Sequence, residues 1–439
     1  MNYTANEVLQ FVQENDVKFI RLAFCDIFGT LKNIAIMAGE LPRAMESGIS
    51  FDASAVKGFM NASESDLLLF PDPSTLAVLP WRPQQGRVVR FYCDIRYPDG
   101  RPFEGDGRQL LKKAIDRAAR MGFQCKIGSE CEFYLFQTDA DGNPTLKPYD
   151  NAGYLDVAPQ DKGENIRREI CLTLEEMGIT PESSHHEQGP GQNEVDFHYN
   201  DALAAADDLI SFKSVVKAVA ARSGLYASFL PKPIKNASGS GLHVNMSLSQ
   251  NGCNIFKTGN GQHSEQAESF IAGVLARTAE ITAFLNPITN SYRRFGCFEA
   301  PKYITWSHQN RSQLIRIPAA TGEYARMELR SPDPACNPYF VFALLMHAGL
   351  DGIEETVSLP NPTNLNLYTA EKSLTDAIPT LPENLGNAVE LARTSGFVKK
   401  VIAPATLEKF LQYKEEEWKA YLESEDRIQL EENLYFPRI

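Results

Sequence analysis

Residues Lys126-Ile-Gly-Ser-Glu-Cys-Glu-Phe-Tyr-Leu-Phe136 form a strand-like run in which Glu130 and Glu132 sit among apolar and aromatic side chains. Side chains alternate across a strand, so Ile127, Cys131, Phe133 and Leu135 share one face and the two glutamates project together from the other. Residues two apart on a strand are separated by about 7 Å, which lets two carboxylates serve adjacent cations. A single glutamate in such a run reads as a solvated edge position. Two on one face, beside Tyr134 and Phe136, ask for partners elsewhere in the chain.

Three further runs repeat the alternation. In Gln192-Asn-Glu-Val-Asp-Phe-His-Tyr199, Glu194, Asp196 and His198 oppose Val195, Phe197 and Tyr199. In Leu242-His-Val-Asn-Met-Ser-Leu248, His243, Asn245 and Ser247 face one way; in Arg326-Met-Glu-Leu-Arg330, Arg326, Glu328 and Arg330 oppose Met327 and Leu329. Antiparallel sheets commonly bury one face and leave the other to water or ligand. The four runs therefore predict one sheet whose open face carries Glu130, Glu132, Glu194, His243, Glu328 and several arginines. With Glu187, which closes Glu182-Ser-Ser-His-His-Glu187, these carboxylates would repel one another without cations. Their hardness and the lack of a thiolate suit two Mg²⁺ or Mn²⁺ ions rather than zinc. Arg294, Arg311, Arg316, Arg326 and Arg330 all fall between Asn290 and Pro334, and arginine grips carboxylates and phosphates bidentately. Divalent ions with clustered arginines are the usual equipment for phosphoryl transfer. The residues alone thus predict an ATP-using enzyme with an anionic substrate.

Composition narrows the class. The 439 residues are 43% hydrophobic and 23% charged, which reads as soluble and globular, with one large domain and a smaller one or up to three domains. No apolar run approaches the roughly 18 residues of a spanning helix, and the amino terminus lacks a basic region followed by an apolar one, so a cytoplasmic protein without membrane contact is expected. A net charge of −13 argues against a nucleic-acid partner, because counterion release needs a basic surface. The eight cysteines are scattered without a Cys-x-x-Cys pair and read as buried free thiols rather than zinc ligands or disulfides.

In chain order, Thr4-Ala-Asn-Glu7 is a capping box that opens an amphipathic helix. Lys18–Phe28 and Asn33–Met37 read as a hairpin, and Arg87–Tyr97 as another strand. Residues 1 to about 104 are expected to form a small α+β domain, bounded by the Gly/Pro/Asp-rich Pro98–Gly107, with 105–439 as the second domain. Helices are predicted from Arg108, over Asn165–Met177, Asp207–Gly224 and Glu265–Leu285, and near the carboxyl end through Leu407, Phe410, Leu411, Trp418 and Leu422. Glu432-Asn-Leu-Tyr-Phe436 is similar to part of a protease tag, but Pro437 follows and the segment is read as native.

The motifs resemble those of the glutamine synthetase family, type I. Gly128-Ser-Glu-Cys-Glu-Phe, His185-His-Glu-Gln-Gly-Pro-Gly-Gln-Asn-Glu194, Lys232-Pro with Gly239-Ser-Gly-Leu-His243, Asn310-Arg-Ser-Gln-Leu-Ile-Arg-Ile-Pro318 and Glu328-Leu-Arg-Ser-Pro-Asp-Pro occur in the family's order. The resemblance implies an α+β fold, with a β-grasp-like small domain and a large catalytic domain on a curved antiparallel sheet flanked by helices. It implies two or three Mg²⁺ or Mn²⁺ ions per site, with Glu132, Glu187 and Glu194 on the ion nearer the amino acid and Glu130, His243 and Glu328 on the ion that bridges ATP phosphates. Glu182, Ser247 and Arg326 would contact the nucleotide, Arg311 and Arg316 the transferred phosphoryl group, and Arg294, Arg330 and Gly239, beside the metal-binding Glu132, Glu187 and His243, the glutamate. Asn290–Glu299 matches the family's flap, with Glu299 accepting a proton from ammonium. Asp52 and Asp66 match the ammonium site, reached across a subunit boundary in a dodecamer of two stacked hexameric rings. The residues alone allow Asp52 as a helix cap and Asp66 as a turn residue. The implied reaction is ATP-dependent amidation of glutamate by ammonia through γ-glutamyl phosphate. The tyrosine-adenylylation segment of some members is not evident around Asn364–Ala370.

This chain has Asp52-Ala-Ser-Ala where the family usually has Asp-Gly-Ser-Ser, Ser238-Gly-Ser-Gly241 where it has Asn-Gly-Ser-Gly, and a flap about one residue shorter. These departures touch the amino-acid and ammonium side, and a lost polar contact shifts selectivity between related ligands. They keep a γ-glutamyl ligase for a small organic amine or polyamine as the alternative. A non-catalytic relative stands behind both, since self-repelling carboxylates would serve no purpose in it.

Overall fold

The structure is a computed structural model and describes residues 3–82, 85–257 and 263–439; Met1 and Asn2 of the amino terminus read above lie outside them. The chain opens with the helix Ala5–Glu14, capped as expected, with Thr4 Oγ1 accepting from the Glu7 backbone and the Glu7 carboxylate accepting from Thr4 N at 2.7 Å. A six-stranded sheet follows. Its core pair is Val17–Cys25 beside Arg87–Arg96, in parallel, and antiparallel neighbours extend it through Leu31–Met37 on one side and Asp66–Pro71 and Ile49–Asp52 on the other. The first hairpin strand ends at Cys25, short of the expected Phe28, because Asp26 folds the chain back by accepting from Phe28 N and Thr30 N, and the second begins at Leu31, two residues before the expected Asn33.

The second sheet has eleven strands, with Phe123–Thr138 at its centre. That sixteen-residue strand is central because it is apolar on both sides of its second half, where Phe133, Tyr134, Leu135 and Phe136 are all fully buried. Gln192–Phe197 and Leu242–Gln250 flank it in antiparallel register, and Met327–Leu329 and Ile315–Ile317 continue the sheet beyond the latter. Helices Gly107–Arg120, Glu164–Glu176, Ala202–Arg222, Glu265–Leu285 and Pro338–Glu354 pack around it. The third begins at Ala202 instead of Asp207, since Ala202-Leu-Ala-Ala-Ala continues the helical spacing backward from the aspartates. The last two of these helices meet along small residues. A Cβ on Gly273 would lie 2.3 Å from the Ala348 carbonyl, and one on Gly352 2.1 Å from that of Ser269, so only glycine lets the backbones approach this closely.

Buried polar groups fix the small sheet to the large domain. Arg108 is buried and ion-paired to Asp72 and Asp94 of the small sheet at 3.1 and 3.0 Å and to Asp207 of the large domain at 2.9 Å. The helix Pro404–Glu423 buries Leu407, Phe410 and Leu411, whereas Leu422, counted in the predicted stripe, is 51% exposed. The final helix, Arg427–Tyr435, ends with Phe436 packed edge-on to Phe136 at 5.3 Å, so this tail is part of the core. All eight cysteines are free, but Cys253 and Cys297 are exposed, against the expectation of buried thiols. No helix among the described residues is long and apolar enough to cross a membrane.

Candidate active site

Register carries the four acidic runs into one place. Glu132 is directly opposite Glu194, and Glu130 is opposite Asp196 on one side and His243 on the other. Two strands further, Glu328 pairs with Asn245 and with Arg316. The expected shared face therefore exists, but it is not open. Glu132, Glu194 and His243 are each at most 9% exposed and Glu328 is fully buried; Cys297, Phe298 and Glu299 and the turn after Glu187 help to wall the face into a pocket of about 420 Å³.

His243 stands among three carboxylates, with Nδ1 3.1 Å from Glu130 Oε2 and 3.8 Å from Glu328 Oε1, and Nε2 3.9 Å from Glu132 Oε1. Glu130, His243 and Glu328 bring one donor atom each within 4.8 Å of one another; so do Glu132, Glu194 and His243, and so do His185, Glu187 and Glu194. This donor set, mostly carboxylate oxygens with imidazole nitrogen and no thiolate, fits hard divalent cations. The electrostatics agree. Burial first, and then the charges of Asp196, Glu132, Glu130 and Glu187, push Glu194 well above the usual carboxylate range. Burial also raises Glu132, with Glu187 adding to it against the opposing His243. Glu130 goes the other way: burial would raise it, but the ring of His243, the amide of Asn245 and the charge of Arg326 outweigh that and lower it.

The arginines close the ring of charge. Glu328 accepts from Arg316 Nη1 at 2.5 Å and from Arg330 Nη1 at 2.9 Å, while the Nε atoms of both arginines are buried without a partner. Two buried donors without acceptors on a pocket wall are suited to an anionic ligand. Arg294 is 3% exposed and bonded to the carbonyls of Arg330, Ser331 and Pro332. The glycine run Gly239–Gly241 exists to admit it, since a Cβ on Gly241 would come 2.5 Å from Arg294 Nη2. Arg311 and Arg326 line the same pocket. Glu182 and Ser247 do not; they line an adjoining cavity of about 220 Å³ that shares Glu130, Asp196 and Arg326 with the first.

Glu299 lines the pocket half-exposed, accepting from Gln188 Nε2 at 3.0 Å. Asp52 and Asp66 do not line the pocket of their own chain. Asp66 opens the strand Asp66–Pro71 instead of making a turn, and its register partner is Asp52, so the two aspartates lie side by side at a sheet end. Asp52 also caps the short helix Ala53–Ala55, accepting from Ser54 N and Oγ at 2.9 and 2.6 Å, as its reading as a helix cap expects.

Several site residues escaped the sequence reading. Gln192 is fully buried and donates to Glu132 Oε2 at 2.8 Å and to the Gly239 carbonyl at 3.2 Å. Asn245 donates to Glu130 at 2.9 Å and accepts from Arg326 Nε at 2.8 Å, and His185 is 2.8 Å from Glu187. Strand parity points to Gln192 and Asn245, each two residues from a named ligand candidate. At Ser238 only the backbone is engaged, its carbonyl accepting from Tyr134 Oη at 2.6 Å.

A family model described as glutamine synthetase, catalytic domain, matches residues 104–433, and one described as glutamine synthetase, beta-Grasp domain, matches residues 16–98. The chain belongs to the glutamine synthetase family. Among similar relatives, a glutamine synthetase of Clostridium saccharobutylicum is 47% identical over 424 residues, covering 95% of this chain and 96% of that one. A glutamine synthetase of Methanosarcina mazei is 46% identical over 423 residues and 95% of each chain. A solved structure of a GmaS/ADP complex superposes with a TM-score of 0.88 at 31% identity over 100% of both chains. The fold is also that of a Plasmodium falciparum glutamine synthetase, at 24% identity, a TM-score of 0.86 and 99% of each chain.

Proposed function

We propose that this chain is an ATP-dependent glutamine synthetase, which joins ammonia to the γ-carboxylate of glutamate through γ-glutamyl phosphate and releases ADP and phosphate. The observation that carries the reading is three overlapping sets of acidic and histidine donors gathered at one pocket ringed by arginines, in a chain at 47 and 46% identity to relatives named glutamine synthetase over nearly its whole length.

Glu130, Glu132, Glu187, Glu194, His243 and Glu328 would hold Mg²⁺ or Mn²⁺, two or three ions in all. When bound, those ions offset the charge of the phosphates and of the transferred group. The nucleotide would enter past Glu182, Ser247 and Arg326. Arg294, Arg330 and Gly239, with the Glu132, Glu187 and His243 side of the pocket, would hold glutamate. A γ-carboxylate oxygen attacks the terminal phosphorus of ATP and the bond to ADP breaks, with Arg311 and Arg316 stabilising the phosphoryl group. Ammonia then attacks the acyl carbon, and phosphate leaves with the carboxylate oxygen. Glu299 covers the pocket mouth, excludes water and accepts the proton lost by ammonium. Asp52 and Asp66 would bind ammonium from a neighbouring subunit, which is why they need not line the pocket of their own chain; a dodecamer of two hexameric rings supplies such neighbours.

The reading with an organic amine as acceptor is not favoured. Its motive at Ser238 weakens because that residue engages the loop through its backbone. A non-catalytic relative would not need so complete a set of donors. The test is phosphate release by the purified chain with ATP, Mg²⁺ or Mn²⁺ and glutamate, comparing ammonium with methylamine, ethanolamine and putrescine. Ammonium should be preferred, with glutamine as product; release only with an organic amine would overturn the assignment. Asp52→Ala should raise the apparent KM for ammonium far more than that for ATP, and equal effects would leave Asp52 a purely structural role.

A further inference from the structure

Away from the active site, a cavity of about 710 Å³ lies between the small domain and the carboxyl-terminal segment. Its walls come from the turn at Asp26–Lys32 and from Lys57 on the small domain, from the helix Ala202–Arg222, and from the chain end near Leu434 and Ile439. Its charge is lopsided. Lys32, Lys57, Lys213, Lys217, Lys414 and Arg438 line it, against the acidic side chains of Asp26 and Glu417 and the backbone carboxyl of Ile439, which accepts from Phe229 N at 3.1 Å. Both acidic side chains are committed elsewhere. Glu417 pairs with Lys414 at 3.0 Å and Lys57 at 3.8 Å, and Asp26 accepts from the backbone of its own turn.

Among the described residues, neither Lys213 nor Lys217 has a carboxylate within ion-pair distance. Lys213 Nζ donates to the carbonyls of Pro334 and Cys336, and Lys217 Nζ to that of Arg438 at 2.9 Å. They sit one helical turn apart, and both ammonium groups lie 5.9 Å from the ring centre of Phe229. Like charges four residues apart on a helix repel, and burial first and Lys213 second push Lys217 down to about 8. Two half-buried cations held side by side, with only carbonyls as partners, cost stability that a bound anion offsets. The wall between them and the small domain is apolar, built from Ile210, Phe229, Ile288 and Leu434. Lysines bind carboxylate and phosphate alike as point charges, and it is the apolar wall beside them that favours an anion with an apolar body over inorganic phosphate.

We propose that this cavity binds a small organic acid, a carboxylate with a short apolar body, its head group on Lys213 and Lys217 and its body against Phe229 and Ile288. Occupancy bridges the large domain to the Asp26–Lys32 turn and to Lys57, which follows the short helix capped by Asp52. Any effect on ammonium use through that bridge rests on the role proposed for Asp52; the binding itself does not.

Isothermal titration of the full chain with hexanoate, glutarate and inorganic phosphate tests the site. One carboxylate per chain should bind, and equally to Glu132→Ala, a change confined to the catalytic pocket. Losing one charge-assisted contact is worth about tenfold or more in affinity, so Lys217→Met and, independently, Lys213→Met should weaken binding by that factor while Lys217→Arg restores it. Glutamine formation by Lys217→Met without added carboxylate should match that of the parent. Absence of carboxylate binding, a preference for phosphate, or binding that vanishes in Glu132→Ala and survives in Lys217→Met would each overturn the proposal and leave the reading of the catalytic pocket intact.

Discussion

Gln192→Met removes one polar head group from the buried wall of the pocket and keeps the side chain's length. In the parent the amide holds three parts of the site together: it donates to Glu132 Oε2 at 2.8 Å and to the Gly239 carbonyl at 3.2 Å, and accepts from Gly189 N at 2.9 Å. A hydrogen bond to a charged group contributes about 1.5–3 kcal/mol, equivalent to roughly 10- to 150-fold in an equilibrium constant. Loss of a group that orients a metal-binding side chain typically costs about 10- to 100-fold in metal affinity, and the two estimates agree. Glu132 keeps its bond from Gly241 N at 3.0 Å, so its position loosens but is not lost. Mn²⁺ titration followed by electron paramagnetic resonance should show weaker binding by about one to two decades, while kcat at saturating Mn²⁺ falls much less. The unpartnered Gly189 N–H should cost about 1–3 kcal/mol of stability, read by denaturant unfolding. An unchanged Mn²⁺ affinity, or a lost kcat with affinity intact, would refute the argument that Gln192 acts by orienting a metal-binding Glu132.

Glu132, Glu194 and Asp196 are all raised in the folded chain, Asp196 to about 6 by burial and then by Glu130. The folded metal-free chain thus binds more protons than the unfolded one across that window, so these groups contribute stability below the ordinary carboxylate range that is lost as pH rises through their folded values. The gain in Tm on adding Mn²⁺ should therefore grow as pH rises above 6, and a gain independent of pH would contradict the crowding argument. Gly241→Ala would drive a Cβ to 2.5 Å from Arg294 Nη2 and 3.0 Å from His243 Nε2; overpacking of this kind costs about 1–3 kcal/mol, and steady-state kinetics should show KM for glutamate rising more than KM for ATP. Phe436→Ala empties a site against Phe136 and Tyr226 and should cost about 3–5 kcal/mol in denaturant unfolding; a neutral result would mean the tail does not pack in solution.

Strand parity made the acidic face legible, because alternation depends only on neighbouring residues. Glu130 with Glu132, Glu194 with Asp196, and His243 with Asn245 could all be placed together on that ground. Parity does not say which strand lies beside which. That Glu132 meets Glu194 and Glu130 meets His243 is a matter of long-range register, and the burial of Glu328 between Arg316 and Arg330 follows from it. Asp66 was ambiguous for the same reason: its neighbours carry turn chemistry, and only pairing with the strand that ends in Asp52 makes it a strand residue. Gln192 was hidden by chemistry instead of distance: parity puts it on the face of Glu194, but a neutral amide beside a Gly/Pro turn carries nothing to mark it as the brace of a carboxylate. The lysine-lined cavity was equally silent, because its residues come from segments 412 positions apart, from Asp26 to Arg438.

The central claim is that the γ-carboxylate of glutamate is activated by phosphorylation before ammonia attacks. Glutamate labelled with ¹⁸O in that carboxylate, incubated with the purified chain, ATP, Mg²⁺ and ammonium, tests it directly by mass spectrometry of the products. The account predicts glutamine that has lost one labelled oxygen and phosphate that has gained it. Glutamine formed with phosphate free of label would contradict it.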